Sequence, residues 1–81
     1  MIYFKTNHEE GIGTSEKNGD DVVVTINKGM TIKDAKSLVD EVLDENEGPV
    51  DAGGCIPPAM ALVMKCLRER KREGDWISRI H

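Results

Sequence analysis

Asp40, Glu41, Asp44, Glu45 and Glu47 crowd the last two turns of a segment whose residue pattern is helical. The carboxyl end of a helix is already the negative pole of the backbone dipole, and a cation there would be stabilising by roughly 0.3–1 kcal/mol. Asp40 with Asp44, and Glu41 with Glu45, are also like-charge pairs one turn apart, each mildly unfavourable. A local electrostatic rule broken without local gain marks a candidate binding surface. The chemistry it suits is capture of a protein partner with a basic, nucleic-acid-binding surface, the carboxylates taking the place of phosphates. The competing reading is a solvated face kept acidic for solubility.

A second charged group has the opposite sign. Arg68, Arg70, Lys71 and Arg72 follow Lys65 near the end of a second helical segment, and such a run can contact phosphates with a steep salt dependence. Glu69 and Glu73 interrupt it, no aromatic residue is interleaved, and the chain is acidic overall, with a pI near 5.1. Nucleic acid is therefore the weaker expectation. Pairing with the acidic helix, within the chain or between chains, ranks above it, since basic residues at a helix end also complement the dipole.

Other reactive residue types give less. Cys55 lies on a glycine-rich approach to a helix start, where backbone amides can lower a thiol pKa, but no His is near it in sequence. The expectation is a turn whose Cys packs on the core, and Cys66 is expected to be a small apolar core residue. His8, Cys55, Cys66 and His81 lack the tight local pairing typical of zinc ligands, and Gly11-x-Gly13 has neither the third glycine nor the helix of a phosphate loop. No metal, no cofactor and no catalytic set is expected. Met60, Met64 and Leu67 share one side of the second helical segment and are candidates for a homodimer seam.

The elements that must position these groups can be read from periodicity. Ile2–Thr6 suits a short strand, whereas Asn7–Ser15 fits either a loop or a weak edge strand. Asn18-Gly19 signals a type I′ hairpin turn. Asp21–Asn27 then reads as a central strand, with Val22, Val24 and Ile26 facing the core. Thr31 opens the first helix, over 31–47, with Asp34 completing a variant capping box; Ile32, Ala35, Leu38, Val39, Val42 and Leu43 form its apolar stripe. Residues 48–57 read as a linker, 58–73 as a second helix opened by Pro57-Pro58, and 75–81 as an apolar patch fitting a short helix. Because Ala59–Met64 is apolar all round, that helix is expected to be buried on several sides.

The predicted fold is thus one α+β domain over residues 1–81: a two- to three-stranded antiparallel sheet from the first 28 residues, packed against two helices. Residues 1–57 hold twelve carboxylates against five lysines, whereas 58–81 hold six basic residues against three acidic ones, so charge is polarised along the chain. No apolar run is long enough to span a membrane and no leader pattern follows Met1, so a cytoplasmic protein without membrane contact is expected. In size and charge the chain resembles small phage-encoded inhibitors of host machinery, anti-CRISPR proteins among them, which implies function by occupying a surface. The expected function is a non-enzymatic protein-protein interaction module. Its alternative is a dimeric DNA-binding accessory or transcription-regulatory protein using the basic end of the second helix.

Overall fold

A computed structural model describes residues 1–8, 13–72 and 76–77. Five strands and two helices follow in the order β1 (Ile2–Asn7), β2 (Thr14–Asn18), β3 (Asp21–Asn27), α1 (Ile32–Glu45), β4 (Val50–Gly54), α2 (Pro57–Glu69) and β5 (Trp76–Ile77). The strands form one sheet ordered β2-β3-β1-β4-β5. β2 runs antiparallel to β3, and every other neighbouring pair is parallel. The α+β class holds, with helices gathered on one face of a sheet. The purely antiparallel sheet of two or three strands does not.

The hairpin explains how two consecutive branched strands come to be parallel. β2 returns the chain to the end of the sheet where β1 began, so β3 can run alongside β1, with Ile2, Phe4 and Thr6 opposite Val22, Val24 and Ile26. The turn is Gly19-Asp20, one residue later than Asn18-Gly19, with Gly19 at φ +64 and Asn18 paired to Asp21. A glycine with positive φ at the first central position is the type II′ pattern, in place of type I′. Thr14 and Ser15 belong to β2, and residues 9–12 of the Asn7–Ser15 segment lie outside the described residues.

β4 occupies the middle of the expected linker. Of its residues only Val50 favours strands; pairing with β1 imposes the rest, beginning with Ile2 N–H donating to the Pro49 carbonyl at 2.9 Å. Tyr3 faces Asp51 and Lys5 faces Gly54, so β4 carries an extra residue, and the Asp51 carboxylate accepts the Gly53 amide at 2.9 Å across this bulge. Trp76–Ile77 pairs with β4 as a strand in place of the expected short helix, and the remainder of the 75–81 patch lies outside the described residues.

From β3 to β4 to β5 the chain moves one way across the sheet. Connections of one hand therefore lay both helices on the same face and make them parallel to each other. A single apolar cluster joins alternate strand residues (Ile2, Phe4, Val22, Val24, Ile26, Val50) to Val39, Val42 and Leu43 of α1 and Val63, Cys66 and Leu67 of α2. α1 starts as expected, the Thr31 hydroxyl accepting the Asp34 amide at 3.1 Å. Its stripe departs from expectation at the first residue: Ile32 is 80% exposed. α2 is buried along one side only; Ala61 and Met64 are exposed.

α2 ends at Glu69, earlier than 73, in a Schellman turn: Lys71 N–H reaches the Arg68 carbonyl at 3.0 Å and Arg72 N–H the Leu67 carbonyl at 2.9 Å. Lys71 occupies the left-handed position, φ +56, which glycine usually fills. The turn aims Arg72 back at α1. Lys71→Gly should keep this geometry while relieving the backbone, raising stability by about 1 kcal/mol in urea denaturation; an unchanged midpoint would show that Lys71 carries no such strain.

Candidate functional site

The acidic end of α1 and the basic end of α2 meet. Arg70 places Nη1 2.9 Å from Asp40 Oδ1 and Nε 2.8 Å from Asp44 Oδ1. The contact to Asp40 Oδ1 is an ion pair out of line for a hydrogen bond, whereas Nε donates to Asp44. Lys36 bridges from the other side, its Nζ 2.8 Å from Asp40 Oδ2 and 3.3 Å from Glu69 Oε2. These five charges form one network across the seam between parallel helices, and the parallel arrangement is what brings both carboxyl ends to the same place.

Arg72 acts on the backbone. Nη1 donates to the carbonyls of Leu43 (3.0 Å) and Asn46 (3.2 Å), and Nη2 to that of Gly48 (2.8 Å). The Asn46 side chain adds a bond to the Val42 carbonyl at 2.9 Å. A guanidinium therefore sits at the negative pole of α1 and covers carbonyls that have no helical partner.

These contacts set the protonation behaviour. Burial alone would raise the Asp40 pKa, but hydrogen bonds from Lys36 and Cys66 and the positive charge of Arg70 outweigh it and hold the group below the ordinary carboxylate value. The hydrogen bond from Arg70 lowers Asp44 likewise, and hydrogen bonding to Asp40 and then Glu69 raises Lys36. Arg70 is raised by its hydrogen bond to Asp44.

The five expected contact carboxylates thus divide. Asp40 and Asp44 are held in the seam. Glu41, Glu45 and Glu47 are exposed and form no ion pair among the described residues. Glu41 and Asp34 line a depression of about 510 Å³ with Gly13, Met30 and Leu38, on the flank of α1 away from α2. From sequence Asp34 reads as part of the helix cap and not of the acidic face; the three- and four-residue steps joining it to Leu38, Glu41 and Glu45 carry the signal. Of the basic run, Arg70 and Arg72 are engaged with α1, while Arg68 and Lys71 are exposed. Of the Met60, Met64 and Leu67 stripe, Leu67 is 1% exposed and belongs to the core, Met60 is half-buried and Met64 is exposed.

Neither thiol is set up as a nucleophile. Burial pushes Cys55 up to about 11 against a hydrogen bond to Thr6, and burial followed by the hydrogen bond to Asp40 pushes Cys66 up to about 11. That is the opposite of the direction an activated cysteine needs. Among the described residues no three His, Cys, Asp or Glu side chains are grouped to hold a metal ion, and no helix is long and apolar enough to cross a membrane. Compared with protein-family models, curated proteins and solved structures, the chain matches none.

The seam makes stability depend on acid. With Asp40 and Asp44 held below the unfolded value of about 3.9, their contribution is complete above about pH 5 and drains away as pH falls through the lower folded values. Arg70→Gln should lower stability near neutral pH and shrink the difference between about pH 7 and pH 3 measured in urea; an acid limb as steep as that of the unaltered protein would refute the assignment. For the cysteines, alkylation near neutral pH should be slow in the folded protein and rapid once urea unfolds it. Rapid labelling of Cys55 in the folded state would show an activated thiol.

Proposed function

We propose that the protein is a non-enzymatic protein-protein interaction module, of the kind phages use as inhibitors of host machinery, and that it occupies a basic, nucleic-acid-binding surface on its partner. The observation that carries this reading is the division of the acidic helix. Two carboxylates, Asp40 and Asp44, are spent on holding α2, whereas Glu41, Glu45 and Glu47 remain exposed with no ion pair among the described residues, Glu41 in the depression that Asp34 also lines. The contact surface is therefore narrower than the whole acidic end: it is the outer flank of α1 and the residues just past it. Exposed carboxylates set apart from an internal network can meet cations on a partner without dismantling the fold, and such charges chiefly govern association rate and choice of partner.

The DNA-binding alternative has less support. Arg70 and Arg72 each make several contacts to α1, so phosphate contact by them would cost the interhelical seam. Arg68 and Lys71 alone are a thin footprint on an acidic chain.

The test begins with affinity capture from the native host and identification of the partner, followed by titration. Glu41→Lys, Glu45→Lys and Glu47→Lys combined should weaken binding by about tenfold or more and invert its salt dependence, with the melting temperature little changed. Capture that survives this triple reversal would remove the acidic surface from the function.

A further inference from the structure

The two helices are fastened at their carboxyl ends and part at their amino ends. There Ala35 on α1 and Ala59 and Ala61 on α2 leave room, and between the helices opens a cavity of about 370 Å³ beyond the ends of β1 and β3. Its floor includes Ile26 and its walls Ile32, Ile56 and Leu62. Ile32 at 80% and Ile56 at 38% exposure are large apolar side chains left in water beside an apolar cleft. Water there is poorly bonded, and an apolar ligand releases it. The place is also a usual one for ligands, since in sheets of parallel strands they bind outside the carboxyl ends. The volume falls at the lower end of the range of small-molecule sites, about 300–1,000 Å³.

Charge selects among apolar ligands. The side chains lining the cleft include two charged residues, Lys28 and Lys65, both cationic and neither in an ion pair among the described residues. Both helices also point their amino ends at this edge of the sheet, adding partial positive charge. The nearest first-turn carboxylate, Asp34, lines the separate depression on the other flank of α1. On a protein of net charge −4, this is a positive rim around an apolar slot.

We propose that this cleft binds an aliphatic carboxylate, its chain lying between Ile32, Ile56 and Leu62 and its head at Lys28 and Lys65. The site is independent of the acidic flank of α1 and of the partner assigned to it. Long lysine stems can line the slot while their ammonium groups stay at its mouth, which suits a ligand with one apolar and one anionic end.

Dodecanoate, held below its micelle-forming concentration, is the probe. Titrated into the isotope-labelled full chain, it should give saturable amide shifts at Ile32, Ile56, Ala61, Leu62 and Lys65, with Glu41 and Glu45 unmoved. Lys28→Glu with Lys65→Glu should weaken binding about tenfold and favour dodecyltrimethylammonium instead. Ala61→Trp, at an exposed helical position, should fill the slot and abolish binding while the remaining spectrum stays folded. Three results would overturn the proposal: no saturable shifts, equal binding of the cationic and anionic detergents, or sedimentation showing that a second copy of the chain already covers these residues without ligand.

Discussion

The carboxyl terminus of α1 is an electrostatic problem that α2 solves. Carboxylates, the backbone dipole and uncovered carbonyls all place negative charge at one point, and Arg70 and Arg72 answer them together. Arg70 pairs with the carboxylates of Asp40 and Asp44 and also reaches the Asp40 carbonyl, whereas Arg72 donates to the carbonyls of Leu43, Asn46 and Gly48. Without both, like charges one turn apart would oppose a helix whose own polarity already disfavours them. The arrangement depends on topology as well as composition. Only because β3-α1-β4 and β4-α2-β5 cross the sheet in one direction do two parallel helices end side by side.

That constraint reorders what the acidic segment means. A cluster of negative charge that looks gratuitous along the chain is, in the folded protein, partly structural and partly not. The helical wheel makes the division: positions stepping from Lys36 through Asp40 to Asp44 turn toward α2, and those stepping from Asp34 through Leu38 and Glu41 to Glu45 turn away. The seam also limits what the basic run can offer a partner, because a guanidinium that covers three carbonyls is committed to the fold.

Much of the local architecture was legible in the sequence. Val22, Val24 and Ile26 alternate onto the core, Thr31 caps the helix, and the basic run pairs with the acidic helix, as its place at a helix end suggests. Sheet topology was not legible, for a physical reason. Val50–Gly54 has almost no intrinsic strand preference, and it is a strand because β1 offers it an unpaired edge. Parallel pairing joins residues far apart in sequence, so no local pattern announces it. Ile32 failed differently. Its spacing fits the buried stripe, but as the first residue of α1 it stands beside an open cleft that the neighbouring helix does not fill.

β2 carries a different lesson. Thr14-Ser15-Glu16-Lys17-Asn18 is exposed at every position and contributes nothing to the apolar cluster, yet it is the terminal strand on its side of the sheet. Its pairing covers one edge of β3, the most hydrophobic ribbon in the chain, and presents outward a short, charged border that other chains would find hard to extend. Five residues outside the apolar cluster thus keep the adjoining edge of β3 from being open to another chain.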